Sequence, residues 1–297
     1  MLNLTLTGLK LRNPLMLAAG VMGSTGSSLK RIANAGAGAV VTKSIGIKPR
    51  KGYPNPSMIQ LECGYLNAIG LPNPSYKNFQ HEIDEAREAN IPVIASIFGS
   101  TPEEFSEIAS GLDADAFELN LSCPHVQGYG AEIGTQPELV EEITKAVKRA
   151  TKHPVWVKLT PNITDIAQIG VAAQHAGADA VVAINTIQGM AIDIESGYPI
   201  LSNRFGGISG CALKPVAIKC VYDLYEALNI PIIGVGGISN WKDVIEFIMA
   251  GAQAVQIGSA VGNNINIFYD ISSCMEAFLI DKECTLKDIH GMAHETC

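Results

Sequence analysis

The amino-acid sequence predicts an α/β fold in which eight βα units close into a (βα)8 TIM barrel. Two observations carry this prediction. Short runs rich in Val, Ile and Ala alternate with amphipathic helical stretches from near the start of the chain to its end, which is typical of parallel strands joined by helices. An Ala-Gly-Ala turn also precedes three of the predicted strands, at 35–37, 176–178 and 250–252, where a glycine can end the preceding helix.

The elements of this barrel can be assigned in order along the chain. Residues 3–11 alternate apolar and polar positions around Thr7-Gly8, which predicts a β-hairpin that closes the amino-terminal end of the barrel. Short apolar runs predict strands at residues 14–19, 38–43, 92–97, 115–120, 154–159, 179–184, 231–235 and 253–257. Amphipathic periodicity predicts helices near residues 26–35, 75–89, 102–110, 135–151, 162–176, 213–228, 239–250 and 264–280.

Two connections between a strand and the next helix, 44–74 and 185–212, are unusually long. Long loops in compact domains are often lids or binding loops, and on this fold they lie over the catalytic face. Because the βα alternation runs through the whole sequence, we expect a single domain over residues 1–297.

Composition narrows the possible partners. The chain has 297 residues, of which 47% are hydrophobic and 17% charged, so it can bury a large core. Its net charge of −8 provides no basic field for phosphate backbones, and we expect no nucleic acid partner. The first 13 residues do not resemble a signal peptide and no apolar run has the length of a membrane span, so we expect a cytoplasmic protein without membrane contact.

The seven cysteines form an odd-numbered set without a Cys-x-x-Cys pair. In a chain that can fold without disulfides, this pattern predicts free thiols and no iron–sulfur cluster held by the chain itself. His290 and His294 have the spacing of a metal pair, but Gly291 disfavours a helix between them and the segment is terminal, so we predict no metal site.

Polar residues cluster at the carboxyl ends of the predicted strands. Strand two ends in Thr42-Lys43-Ser44, strand four in Asn120, strand five in Lys158 and strand six in Asn185-Thr186. Side chains at these ends converge on one cavity in a barrel. A buried lysine needs an anionic or electron-rich partner, so the two lysines predict a negatively charged ligand, unless each extends from the barrel mouth into water.

Glycines follow the last two strands, in Gly234-Val235-Gly236-Gly237 and in Gly258-Ser259. Backbone amides at the start of a helix, without side chains in the way, can bind a phosphate, and the loops after strands seven and eight commonly do so in this fold. The segment 206–210 offers a third glycine cluster. These clusters predict a phosphate group at this side of the barrel mouth.

A lone cysteine, Cys123, comes just after strand four and Asn120, at the start of a glycine-rich loop that also carries His125. A cysteine on such a loop can accept and return a proton, although most free cysteines are small buried hydrophobic residues. Together with a phosphate at strands seven and eight and a lysine at strand five, this cysteine suggests flavin mononucleotide (FMN) across the barrel mouth.

These motifs resemble the dihydroorotate dehydrogenase family, in particular its NAD-linked class 1B catalytic subunits. The resemblance covers essentially the whole chain in order and rests on the segments 42–44, 67–73, 120–124, 158–162, 185–186, 189–193, 206–210, 234–239 and 258–260. The chain departs from the family pattern at His125 and Ser96, where the family commonly has Asn, and both departures bear on flavin affinity or substrate choice.

The resemblance implies oxidation of (S)-dihydroorotate to orotate in pyrimidine biosynthesis, with FMN as the immediate electron acceptor. Cys123 would take a proton from C5 of the substrate while C6 gives a hydride to flavin N5, and Lys158 would face the pyrimidine edge of the flavin. Substrate contacts would come from Lys43, Asn67, Ala68, Ile69, Gly70, Leu71, Asn120, Asn185 and Thr186. FMN contacts would come from Ala19, Gly20, Lys43, Ser44, Asn120, Lys158, Ile184, Gly210, Gly236, Gly237, Gly258 and Ser259.

The sequence has no dinucleotide-binding fingerprint at the start of a βα unit, so NAD is not readily reached by this chain alone. The resemblance implies an electron-transfer subunit that carries FAD and an iron–sulfur cluster, and a homodimer of the present chain within a heterotetramer. Three other interpretations stay open: a flavoenzyme of the dihydropyrimidine dehydrogenase type, a barrel enzyme for a phosphorylated metabolite without flavin, and a non-catalytic barrel.

Overall fold

The computed structural model describes residues 1–121 and 133–295. Their strands are β1 (Leu4–Leu6), β2 (Leu9–Leu11), β3 (Leu15–Leu17), β4 (Ala39–Val41), β5 (Met58–Leu61), β6 (Gly64–Asn67), β7 (Val93–Ile97), β8 (Ala116–Asn120), β9 (Val155–Leu159), β10 (Ala180–Ala183), β11 (Ile187–Gly189), β12 (Gly206–Ser209), β13 (Ile232–Val235) and β14 (Ala254–Ile257).

The helices in the same ranges are α1 (Gly26–Asn34), α2 (Gln80–Arg87), α3 (Pro102–Gly111), α4 (Pro137–Ala150), α5 (Ile166–His175), α6 (Lys214–Ala227), α7 (Trp241–Met249), α8 (Ile267–Asp281) and α9 (Leu286–Ile289). Short 3₁₀ turns occur at Tyr76–Asn78, Ile133–Thr135, Cys211–Leu213, Ser259–Gly262 and Met292–His294. None of the helices found in these two ranges combines the length and the apolar character needed to cross a bilayer.

Eight parallel strands close into a barrel in the order β3-β4-β7-β8-β9-β10-β13-β14. Helices α1 to α8 alternate with these strands along the chain, which confirms the predicted (βα)8 TIM barrel. Strands β1 and β2 pair as the predicted antiparallel hairpin. At its turn, the hydroxyl of Thr7 accepts a hydrogen bond from Trp156 Nε1 at 3.0 Å. Because Trp156 is fully buried in one cluster with residues of the hairpin, this bond holds the hairpin against the barrel.

Alternate residues of each barrel strand enter two apolar clusters. One cluster lies inside the barrel and includes Met16, Ile94 and Trp156, and the other lies between the strands and the surrounding helices. Side-chain caps begin several of these helices, for example Thr25 before α1 and Asp165 before α5. The strands are thereby held on both faces, so the side chains at their carboxyl ends have well-defined positions.

The connections 44–74 and 185–212 differ from the predicted long loops. They contain β5, β6, β11 and β12, which form an antiparallel sheet in the order β11-β12-β6-β5. Its central pairing joins Asn67 to Gly207, 140 positions apart in the sequence. Each of these strands has only three or four residues and leaves little local pattern, which is why the sequence indicated loops.

Candidate active site

A cavity of about 730 Å³ opens at the carboxyl ends of the barrel strands. This volume is in the usual range for small-molecule and cofactor sites. The predicted base Cys123 and the neighbouring His125 lie outside the described residues. All the other predicted contact residues line the cavity: Ala19, Gly20, Lys43, Ser44, Asn67, Ala68, Ile69, Gly70, Leu71, Asn120, Lys158, Ile184, Asn185, Thr186, Gly210, Gly236, Gly237, Gly258 and Ser259. Their individual contacts with ligands stay predictions.

Lys43 provides a positive charge in the cavity wall, two residues after β4. Its side chain is half-buried, and this burial lowers the pKa of the ammonium group. No carboxylate among the residues that the structure describes forms an ion pair with Lys43, and none raises its pKa. An ammonium group held partly out of water without a protein carboxylate favours an anionic ligand.

Two asparagines from different strand ends form a hydrogen-bonded floor. Asn185 Nδ2 donates to Asn120 Oδ1 at 3.2 Å, and Asn120 Nδ2 donates to Ser44 Oγ at 3.0 Å. The backbone N–H of Thr186 donates to Asn185 Oδ1 at 2.8 Å. These bonds determine which atom of each amide faces its neighbour, so the cavity presents oriented amide groups. Such groups suit a planar ring that carries its own carbonyl and N–H groups.

Ser96 supports this floor from behind. It is fully buried at β7 and does not line the cavity. Its hydroxyl lies 2.9 Å from the Ser44 hydroxyl, and its backbone N–H donates to Thr42 Oγ1 at 3.0 Å. Ser96, one of the two departures from the family pattern, therefore contacts the cavity wall only through Ser44.

The predicted substrate loop, residues 67–71, is packed against the preceding segment. Asn67 Nδ2 donates to the carbonyl oxygen of Gly207 at 3.2 Å, at one end of this loop. Gly70 has a φ of +79°, and a Cβ atom there would lie only 2.7 Å from the backbone nitrogen of Tyr53. The N–H of Tyr53 in turn donates to the carbonyl oxygen of Ile69 at 3.0 Å. These contacts hold the loop at the cavity wall.

Glycines form another part of the wall. Gly237 has a φ of +73°, and a Cβ atom there would lie 2.7 Å from the backbone nitrogen of Lys214 and 3.0 Å from the carbonyl oxygen of Gly210. The loops after β12 and β13 therefore touch, and Gly210 and Gly237, which have no side chain, both line the cavity. Gly207 belongs to β12, where a Cβ atom would lie 2.1 Å from Thr186 Oγ1, so packing also requires glycine at this member of the third cluster.

Lys158 has an anionic partner within the protein, so it does not require a negatively charged ligand as the sequence suggested. Its Nζ atom lies 3.2 Å from Glu118 Oε1 and 3.2 Å from Gln256 Oε1. Gln256 Nε2 donates to Glu118 Oε2. All three side chains are buried. Of the two lysines, only Lys43 therefore still indicates an anionic ligand.

Several residues of the site were missed in the sequence. Arg50, Tyr53 and Tyr65 line the cavity from the long connection 44–74, and only their place in an extended connection pointed to them. Gln256 also lines it from β14. Glu118 could have been noticed, because a charged residue within the apolar strand β8 requires a buried partner.

The other candidate groups have local roles. His290 Nε2 lies 3.0 Å from the carbonyl oxygen of Gly251, and His294 Nε2 lies 3.1 Å from that of Ala250. In the parts of the chain that the structure describes, no group of three His, Cys, Asp or Glu side chains could hold a metal ion. The cysteines described are free thiols: Cys63, Cys211, Cys220, Cys274 and Cys284.

The barrel and its cavity define the class of protein: a (βα)8-barrel enzyme with oriented amides, a cation and a bare backbone wall around one site. Comparison with known sequences identifies the family. The sequence model of dihydroorotate dehydrogenase matches residues 1–279. The chain belongs to the dihydroorotate dehydrogenase family and is an oxidoreductase, which confirms the resemblance seen in its motifs.

Individual relatives are similar over nearly the whole chain. A protein of Methanocella arvoryzae named "Dihydroorotate dehydrogenase B (NAD(+)), catalytic subunit" is 66% identical over 288 residues, which are 97% of this chain and 96% of that protein. A protein of Methanosarcina mazei with the same name is 64% identical, over 98% of this chain and 95% of the relative. Another from Pyrococcus abyssi is 52% identical, over 99% of each chain.

Proposed function

We propose that this chain is the catalytic subunit of an NAD-linked dihydroorotate dehydrogenase, which oxidises (S)-dihydroorotate to orotate in pyrimidine biosynthesis. Membership of the family and relatives of that name at 52–66% identity support the activity. One observation carries the proposal further: residues from motifs spread between Ala19 and Ser259 line a single cavity at the barrel mouth.

The chain forms a single domain over residues 1–297, and the cofactor bound in its cavity is FMN. The bare backbone at Gly210, Gly237 and Gly258 suits a phosphate group, and Lys158 lines the cavity as a hydrogen-bond donor. The volume of about 730 Å³ is within the range of cofactor-binding sites. When bound, FMN supplies the acceptor for the electrons of the substrate.

The residues of the chain bind, orient and deprotonate the substrate. The Lys43 ammonium attracts the substrate carboxylate, and the loop at Asn67 closes that end of the site. The amides of Asn120 and Asn185 hold the pyrimidine ring. Cys123, which follows Asn120 by three positions in the sequence, removes the proton from C5 of the substrate and later releases it to solvent.

A partner subunit completes the route to NAD. The word "subunit" in the names of the relatives supports such a partner. We propose that it carries FAD and an iron–sulfur cluster, and that a homodimer of the present chain forms a heterotetramer with two of these subunits in the cytoplasm. If the isolated chain reduces NAD with dihydroorotate at the full rate of the complex, this part of the proposal is wrong.

The visible spectrum of the purified chain under anaerobic conditions tests the function, before and after addition of dihydroorotate. A flavin band that bleaches with dihydroorotate, and not with dihydrouracil, is the expected result. Bleaching with dihydrouracil alone would instead favour the dihydropyrimidine dehydrogenase type. A colourless protein that takes up no added FMN would exclude the proposed cofactor.

A further inference from the structure

Three buried polar side chains cross the barrel next to the cavity, and we name them the Glu118 triad. Glu118 lies on β8, Lys158 on the neighbouring β9, and Gln256 on β14, which is on the opposite side of the closed barrel. Each member contacts the other two: Lys158 donates to both partners at 3.2 Å, and Gln256 donates to the second oxygen of Glu118. The triad therefore joins opposite walls of the barrel.

Its burial makes the charges interdependent. Glu118 and Gln256 are fully buried and Lys158 is 6% exposed. A buried carboxylate and a buried ammonium group each carry a large desolvation cost, which is offset only when they are paired and hydrogen-bonded, as they are here. Removal of one charge would leave the other uncompensated in a region where screening by water and salt is weak.

Only part of the triad reaches the cavity. Lys158 and Gln256 line it, whereas Glu118 lies two residues deeper in β8 than the cavity-lining Asn120. An ammonium group has three N–H donors, and two of those of Lys158 are directed to Glu118 and Gln256. The remaining donor is available to a bound ligand. Glu118 thus acts on a ligand only through Lys158.

We propose that Glu118 is a positioning residue for the flavin reaction, which holds the Lys158 ammonium group at the cavity wall and offsets part of its charge. The reduction potential of bound FMN then depends on Glu118, although Glu118 does not touch the cofactor. This inference rests on the FMN site of the proposed function, in which Lys158 faces the pyrimidine edge of the flavin.

The sign of the effect follows from the charges. Reduction increases the negative charge at the pyrimidine edge, so the positive charge of Lys158 favours the reduced form. The carboxylate of Glu118 weakens this preference. Replacing the carboxylate by an amide of the same shape leaves the charge of Lys158 uncompensated, and the potential becomes more positive.

The test compares three full-length proteins loaded with FMN: the parent chain, Glu118→Gln, and the exchange variant Glu118→Gln/Gln256→Glu. The exchange variant keeps one ammonium, one carboxylate and one amide group but moves the carboxylate to β14. Glu142→Gln, at an exposed position of α4, controls for the loss of one negative charge. FMN content is read from the visible spectrum, and midpoint potentials are measured by anaerobic equilibration with reference dyes.

For Glu118→Gln we expect the equilibrium ratio of reduced to oxidised FMN to rise about tenfold or more at a given potential, or about 30 mV for a two-electron couple. Glu142→Gln should stay within about threefold of the parent, or about 14 mV. The exchange variant should show no rise of this kind, because it keeps a carboxylate beside Lys158, now on a side chain that lines the cavity. A Glu118→Gln protein that holds FMN at the potential of the parent overturns the proposal.

If Glu118→Gln does not fold or does not bind FMN, the midpoint potential of the exchange variant tests the proposal instead. A potential no more positive than that of the parent supports the charge role, whereas loss of FMN or a potential more positive by about 14 mV or more overturns it. Failure of the proposed function is distinguishable, because in that case the parent chain itself takes up no FMN or is not bleached by dihydroorotate.

Discussion

The side-chain amide of Asn185 donates a hydrogen bond to Asn120 Oδ1 at 3.2 Å, which joins the carboxyl ends of β10 and β8 across the intervening strand β9. Asn120 in turn donates a hydrogen bond from Nδ2 to Ser44 Oγ. The oxygen and the nitrogen of the Asn120 amide are therefore assigned to protein partners without a ligand. Preorganisation of this kind reduces the ordering cost of binding.

Asn185→Ala should weaken substrate recognition without affecting the flavin band. The variant loses a donor toward the substrate and releases the amide of Asn120, and two hydrogen bonds at about 0.5–1.5 kcal/mol each correspond to a loss of roughly ten- to a hundredfold in kcat/KM. Steady-state kinetics with an artificial electron acceptor measure this. Asn203→Ala is the control, because Asn203 also lines the cavity but donates to the carbonyl oxygen of Phe205. Equal losses in both variants would contradict the role of the Asn185–Asn120 pair.

Lys43 should make the binding of anionic ligands depend on pH. Burial lowers the pKa of Lys43, so its ammonium group loses the proton at lower pH than an exposed lysine does. Because the neutral amine no longer attracts a carboxylate, the Kd of orotate should rise with pH through this lowered pKa. Spectral titration of the flavin with orotate between pH 7 and 10 measures the Kd without involving the proton-transfer step.

Lys43→Gln should raise the Kd of orotate about tenfold or more at pH 7 and remove its alkaline pH dependence, because the charge is already absent. Lys48→Gln, at an exposed position five residues further along the chain, is the matched control. A Lys43→Gln protein that binds orotate like the parent would show that the carboxylate is bound elsewhere.

Cys123→Ala should keep FMN and nearly abolish its reduction by dihydroorotate, since general-base catalysis contributes about 10²- to 10⁴-fold. In the parent chain, reduction should accelerate as pH rises, because a thiol of ordinary pKa ~8.5 is mostly protonated at pH 7. Anaerobic stopped-flow measurement of flavin bleaching tests both statements. Cys274→Ala, at an exposed position of α8, controls for thiol removal. Bleaching of Cys123→Ala at the parent rate would place the base elsewhere.

Gly237→Ala should weaken FMN binding in addition to lowering the stability of the protein. An Ala at a positive φ costs about 1–2 kcal/mol, and at Gly237 its Cβ atom would also press on the backbone of Lys214 and Gly210 in the cavity wall. Gly177→Ala is the matched control, with a φ of +89° and no atom within 4 Å of the added Cβ. Both variants should lower Tm, but only Gly237→Ala should raise the Kd of FMN, measured by fluorescence quenching.

His290 should contribute to the stability of the carboxyl-terminal segment in a pH-dependent way. Burial lowers the pKa of His290, whose ring lies edge-on to Tyr225 and hydrogen-bonds to Gly251. The unfolded chain therefore takes up the proton first as pH falls, so the contribution of His290 is complete above its ordinary pKa of about 6.5 and is lost between that value and the lowered pKa.

Urea denaturation at pH 7.5 and pH 5.5 measures this contribution. His290→Gln should reduce the difference in unfolding free energy between the two pH values, whereas His175→Gln, at an exposed position of α5, should leave it unchanged. An unchanged pH difference in His290→Gln would mean that the ring titrates alike in the folded and unfolded states.

The barrel was predictable because its pattern is local. Each of the eight predicted strand ranges contains one observed barrel strand, and the helix boundaries differ by a few residues at most, apart from α2, which begins after a 3₁₀ turn at Tyr76–Asn78. Short β-branched runs and a helical period of 3.6 residues are readable within ten or fifteen positions. Residues of most family motifs follow the barrel strands or lie in the long connections, and closure of the barrel brings them to one cavity, whereas none of residues 189–193 lines it.

The triad was not predictable for the opposite reason. Lys158 is separated by 40 positions from Glu118 and by 98 from Gln256, and no pattern within either strand tells which polar residue will face another across the barrel. The sequence suggested that Lys158 needs an anionic partner, but it could not tell a ligand from a carboxylate of the protein itself.

By itself, the sequence determined the succession of βα units, the amino-terminal hairpin and the family, because these depend on residue periodicity and on motifs within short segments. Only the tertiary structure decided that the two long connections pair into one sheet, that Ser96 supports Ser44, and that Glu118 pairs with Lys158. The physical reason is that these contacts join residues far apart along the chain, whose approach depends on closure of the barrel and on which face of each strand turns inward.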